Sequence, residues 1–151
     1  FADIVNTPAA VSLADGQTQF PLVLGEVNYS LPENPSILLH ANAGITFDLS
    51  RFRAHLPDAK ITRFQSQIGI SETAPKSREA EFWVLVDGQV RYHNTTLMRP
   101  GESATISVPL KETDRFLTLV TTDGGVYDEL EDRHGIGYDW CVFGRPVLIV
   151  E

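Results

Sequence analysis

Short runs in which polar and apolar side chains alternate with a period of two constrain this chain more than any other feature. In residues 63–70, Phe64, Ser66, Ile68 and Ile70 fall on one side of an extended backbone, and Gln65, Gln67 and Gly69 on the other. That pattern suits a strand with one face on a core and one toward water. Residues 80–86 differ: Phe82, Val84 and Val86 share one face, but Trp83 and Leu85 make the other apolar too. Such a strand is expected inside a sheet rather than at its edge. Asp87-Gly88 follows at once and leads into residues 89–93. Asp-Gly between two strand-like runs is a strong hairpin signal, because both residues tolerate positive φ.

Further alternating runs cover residues 104–109, ended by Pro109, and residues 115–121. Residues 138–143 and 147–150 read as two strands separated by Gly144-Arg145-Pro146, and 19–24, 27–29, 37–40 and 44–48 as shorter ones. The one helical signal is residues 50–56, with Ser50 as N-cap. About nine or ten strands, frequent turn signals and at most one short helix predict an all-β fold, a β-sandwich of jelly-roll type. The 151 residues fit one domain, expected over 1–151, and the 42% hydrophobic content supplies a core. There is no internal repeat and no linker. The Phe1 start, without a signal-peptide pattern, is the start expected of a mature or excised fragment.

Charge narrows the partners. The formal net charge is −8, and the only lysines are Lys60, Lys76 and Lys111. Without a basic stripe, neither nucleic acid nor anionic lipid is an expected partner. No apolar run approaches the ~18 residues of a membrane span. Cys141 is the single cysteine. It is expected to be a small buried hydrophobe, since it has no partner for a disulfide or a multi-cysteine zinc site.

Catalytic motifs are missing. Gly101-Glu102-Ser103-Ala104-Thr105 lacks the closing glycine of a nucleophile elbow, and no H-E-x-x-H, C-x-x-C or phosphate-binding glycine loop occurs. The four histidines, His40, His55, His93 and His134, are scattered. The chain is therefore read as a binding module, not an enzyme. Residues 123–139 gather Asp123, Asp128, Glu129, Glu131, Asp132 and Asp139. A hard cation such as Ca²⁺ takes several oxygen ligands, so Asp123, beside flexible Gly124-Gly125, and Asp139 are the metal candidates. The alternative is a solvated acidic loop. Sugar rings stack their C–H faces on aromatic side chains, and their hydroxyls need polar partners. Tyr138-Asp139-Trp140 supplies both kinds, as does Tyr92-His93-Asn94. Alternation sets Tyr138 and Trp140 on one face and Asp139 on the other; the alternative for Trp140 is core packing.

Several segments together resemble the NPCBM family of carbohydrate-binding modules. Residues 40–49 (HANAGITFDL) are similar to its H-A-x-S-x-I-x-[YF]-D-L signature, and residues 64–70 (FQSQIGI) to its F-x-A-x-[VI]-G-[VI] strand. Residues 82–88 look like its D-G hairpin, one residue shorter, and 117–125 like its L-x-L-x-V-T-D-G-G run. Residues 135–143 (GIGYDWCVF) resemble its G-I-N-x-D-H-A-x-W segment, and Pro146 matches the proline that follows. The resemblance runs from residue 27 to 150 in the family's order. It implies a galactose-binding-like sandwich and galactose-type sugars or related glycans as ligands. It also implies a secreted, periplasmic or cell-surface setting, often beside a glycoside hydrolase, and a structural calcium. Carried onto this chain, it makes His40, Asn42, Tyr138, Asp139 and Trp140 the expected sugar contacts, from two motif loops expected to lie close together. The family's Asp-His pair reads Asp139-Trp140 here, and its tryptophan reads Phe143. Trp140 stands either as a stacking platform or as the mark of a protein-interaction or structural sandwich that has lost sugar binding.

Overall fold

The computed structural model describes residues 2–5, 21–74, 78–125 and 139–151. Its strands are β1 (Ala2–Val5), β2 (Val23–Leu24), β3 (Val27–Asn28), β4 (Ser36–Leu39), β5 (Ala43–Asp48), β6 (Ile61–Ile70), β7 (Glu81–Val86), β8 (Gln89–His93), β9 (Ser103–Pro109), β10 (Phe116–Thr122) and β11 (Cys141–Val150), with one helix, α1 (Leu49–His55), after β5. A five-stranded sheet runs β1-β4-β11-β6-β9 and a four-stranded sheet runs β5-β10-β7-β8, while β2 and β3 form a separate ribbon. All strand pairs are antiparallel. This is the expected all-β sandwich.

The alternation read from sequence decides which side chains meet between the sheets. Phe82, Val84 and Val86 of β7 and Leu117 and Leu119 of β10 share one buried cluster with Phe64, Ile68 and Ile70 of β6 and Ile106 and Val108 of β9. The rings of Phe82 and Phe143 cross edge to face, with centroids 5.4 Å apart and planes at 72°, and so join the two sheets directly. Burying each ring is worth about 1.5–3 kcal/mol. β4 is buried on both faces for a different reason. Ile37 and Leu39 face the main core, whereas Leu38 packs with Leu22, Leu24, Tyr29 and Val142 in a second cluster under the β2–β3 ribbon. Gly144 belongs to this arrangement, because the Tyr29 ring occupies the space a Cβ would need.

The hairpin forms where Asp87-Gly88 placed it, with φ of 50° and 76° at the two residues. The Asp87 carboxylate accepts hydrogen bonds from the backbone N–H of Phe116 at 2.7 Å and of Arg115 at 3.1 Å, which ties the turn to the start of β10. Those N–H groups hold its carboxyl below the usual value. β7 lies between β10 and β8, as its two apolar faces implied.

Three local expectations are corrected. The helix starts one residue earlier than expected, and its cap is Asp48 rather than Ser50: Asp48 Oδ1 accepts from the Ser50 backbone N–H at 3.0 Å. The two strands expected on either side of Gly144-Arg145-Pro146 are one. β11 is continuous, and its register with β6 shifts between Gly144 and Val147, where Arg145 takes φ 46°. A bulge absorbs the Gly-Arg-Pro triplet without ending the pairing. β1, which pairs with β4, was not read as a strand at all.

Candidate functional site

The register brings the two motif loops together at one end of the sandwich. Leu39, the last residue of β4, pairs with Cys141, the first of β11, so His40 leaves the sheet beside the point where Trp140 enters it. On the other sheet Ala43 of β5 pairs with Thr121 of β10, which sets Asn42 next to Thr122 and Asp123. The Thr121 hydroxyl donates to the His40 carbonyl at 2.8 Å and ties the two sheets at this end. The Ser71 N–H donates to the Trp140 carbonyl at 3.1 Å and adds the loop after β6.

Asn42 is exposed and holds a left-handed φ of 59°, a conformation asparagine adopts more readily than most residues. Its Nδ2 donates to Asp123 Oδ2 at 3.0 Å, and the Asp123 N–H donates back to Asn42 Oδ1 at 3.4 Å. The Gly125 N–H donates to Asp123 Oδ1 at 2.9 Å. An expected sugar contact and an expected metal ligand thus form one rim.

Asp139 is withdrawn from the surface, at 1% exposure. Its Oδ1 lies 4.0 Å from Nε of Arg78, whose side chain keeps 18% exposure. A buried carboxylate needs such a countercharge. Arg78 was invisible in sequence because only the fold brings its loop to Asp139. Trp140 is half-buried and packs against both apolar clusters. Cys141 is fully buried, and burial first, then the charge of Asp139, pushes its thiol well up. It is no nucleophile. Tyr138 lies outside the described residues, as do Asp128, Glu129, Glu131 and Asp132.

Among the described residues, no group of three or more His, Cys, Asp or Glu side chains is arranged to hold a metal ion. Asp123 is engaged by Asn42 and Gly125, and Asp139 faces a guanidinium.

A recess of about 490 Å³, lined by Glu79, Thr95, Thr96, Leu97, Arg99 and Glu102, adjoins the rim, for Leu97 packs beside Gly124. Arg99 Nε donates to Glu79 at 2.7 Å, and the Arg99 backbone N–H donates to Glu102 at 2.9 Å. Sequence reading missed these residues because they come from loops with no motif of their own. A more apolar groove of about 270 Å³ lies at the opposite end, where Phe47, Leu49, Phe52, Leu117 and Val147 line it. It offers no polar side chain to orient a hydroxylated ligand.

A family model described as the NPCBM/NEW2 domain matches residues 21–148. No curated protein matches the chain. Among solved structures, CBM51 from Clostridium perfringens GH95 in complex with methyl-galactose is 21% identical, with 99% of this chain and 92% of that one covered and a TM-score of 0.65. The tandem CBM51 modules of Sp3GH98, the family 98 glycoside hydrolase from Streptococcus pneumoniae SP3-BS71, are 19% identical over 91% of this chain, with a TM-score of 0.64. The M60 catalytic domain with CBM51-1 and CBM51-2 from Clostridium perfringens ZmpB is 24% identical over 76% of this chain, with a TM-score of 0.59. These likenesses show a shared fold. The chain spans 37% of the tandem-module structure and 10% of the ZmpB structure.

Proposed function

From the premise that the chain belongs to the NPCBM/NEW2 domain family of non-catalytic carbohydrate-binding modules, we propose that it binds galactose-type sugars or related glycans at the end of the sandwich that carries Asn42 and Asp123. The observation that carries the reading is the convergence of residues 40–42, 121–123 and 139–140 at that end. The Asp123 carboxylate accepts from sugar hydroxyls, the Asn42 amide both donates and accepts, and His40 and Trp140 flank them. Asp139 is too buried to reach a ligand. It acts as a positioning residue for Arg78, which presents the donor. The similar C. perfringens module in complex with methyl-galactose supports this class of ligand. The multi-module relatives support attachment to an enzyme such as a glycoside hydrolase, in a secreted, periplasmic or cell-surface protein that meets glycans directly.

One observation favours a second reading. Trp140 stands where the family has histidine, and it packs against both apolar clusters, as a residue kept only for structure would. The fold then serves a protein contact instead, since fold alone does not fix function. Glycan-array screening followed by calorimetric titration with methyl-galactose separates the two. The proposal expects weak, saturable binding, because a small site gains little free energy per ligand atom. Absence of binding to every glycan at millimolar sugar favours the second.

A further inference from the structure

Beside the Asn42–Asp123 rim, the outward face of the four-stranded sheet carries side chains unlike those of an ordinary solvated sheet. Register aligns Gly44, Val120, Trp83 and His93 in one row across β5, β10, β7 and β8. The neighbouring row, nearer the rim, holds Thr122 opposite Glu81. The indole of Trp83 and the imidazole of His93 stack with centroids 3.4 Å apart and planes at 11°. Trp83 Nε1 donates to the Thr122 hydroxyl at 3.2 Å, which in turn donates to Glu81 Oε2 at 2.7 Å. Glu81 Oε1 lies 3.3 Å from His93 Nε2, and these side chains keep 24% and 27% exposure. They are held in place and each side chain stays partly exposed, although His93 Nε2 itself is buried. Further along, Leu85 is half-buried and Val90 is 54% exposed.

We propose that this row, Trp83 and His93 with Glu81 and Thr122, is a second glycan subsite, taken by the sugars that follow the terminal residue. The module then reads an oligosaccharide rather than a monosaccharide. The inference rests on the carbohydrate-binding reading above. Three observations point to this occupant. The face is continuous with the rim, since Asn42, just before β5, and Thr122 and Glu81, on β10 and β7, follow one another across the sheet and span about 10 Å, and the Trp83 row lies about 7 Å beyond. That reach exceeds a single pyranose ring. The apolar surface of Val120, Trp83 and Leu85 suits sugar C–H faces, and the hydroxyl, carboxylate and imidazole suit sugar hydroxyls. Glu81 Oε1 and His93 Nε2 face each other at 3.3 Å, so the carboxylate is turned toward a partner within the face rather than toward solvent alone. Because the network already fixes the rotamers, little side-chain entropy remains to be lost on binding.

The test compares methyl-galactose with a galactose-terminated tetrasaccharide, lacto-N-neotetraose, by calorimetry on the wild type, Trp83→Ala and His93→Gln. The proposal expects the wild type to prefer the tetrasaccharide. Trp83→Ala lowers tetrasaccharide affinity about five-fold or more, and His93→Gln about two-fold, while methyl-galactose affinity stays within about two-fold. His93→Gln leaves the buried core intact and keeps the test valid if Trp83→Ala fails to fold. The Trp83 indole NMR signal, assigned with Trp83→Phe, should shift with the tetrasaccharide and not with methyl-galactose. Equal wild-type affinity for the two sugars, or a preference unchanged in the folded variants, overturns the subsite and leaves the carbohydrate reading intact. A wild type that binds neither sugar overturns both.

Discussion

Replacing Asp139 by asparagine removes a buried charge and changes the shape least, so it tests the link between the fold and the binding end. The carboxylate lies 4.0 Å from the Arg78 guanidinium. Two unit charges at that distance interact by about 4 kcal/mol at an effective dielectric near 20. Arg78 keeps part of its hydration, which lowers the figure, and asparagine can still accept a hydrogen bond. A loss of about 2–3 kcal/mol is expected, below the ~3–5 kcal/mol seen when fully buried pairs are broken. For a chain of this size that corresponds to a fall of about 5–10 °C in Tm. Urea unfolding followed by Trp fluorescence gives the same quantity with an independent slope. Arg78→Gln in the Asp139→Asn background should cost little more, so a double-mutant cycle should show strong coupling. A loss under about 0.5 kcal/mol, or additive single variants, would refute the claim that Asp139 holds Arg78.

Three more outcomes follow from the geometry. Asn42→Gly relieves the left-handed backbone and should leave stability unchanged while weakening sugar binding, whereas Asn42→Ala should cost about 1 kcal/mol in addition; thermal unfolding and titration of both variants check this. The carboxyls of Asp48 and Asp87 are held below their usual values, by the Ser50 hydroxyl first in one case and by the Phe116 N–H first in the other. Their stabilisation is therefore present above the ordinary carboxylate range and lost as pH falls through about 4 and below, so the urea midpoint should drop there and drop less steeply in Asp87→Asn. Removing divalent cations with EDTA should leave Tm unchanged on the carboxylate placement seen here; a clear fall would show that an ion binds the folded state.

The sandwich was legible because alternation maps directly onto two faces. Phe82, Val84 and Val86 share one face as read, which proves to be the inward one, and Asp87-Gly88 turns where both residues accept positive φ. The misreadings occurred where a local signal had more than one outcome. Gly144-Arg145-Pro146 looks like a turn, but ladder bonding on both sides carries the strand through it as a bulge. Asp48 and Ser50, two residues apart, can each cap a helix, and the earlier start buries Leu49. At the site, His40, Asn42 and Asp123 were readable from motifs. His93 was readable within Tyr92-His93-Asn94, but Arg78, the Glu79–Arg99 recess and the network joining His93 to Trp83, Thr122 and Glu81 were not, because each depends on strands or loops distant in sequence. The role of Asp139 changed for a related reason: sequence shows its chemistry but not its burial.

The most direct test of the central claim is a ¹H–¹⁵N NMR titration of the protein with methyl-galactose. Saturable shifts confined to His40, Asn42, Asp123, the Trp140 indole and Arg78 Nε are the predicted result. No shift at millimolar sugar, or shifts gathered at the apolar groove around Phe52 and Val147, would contradict it.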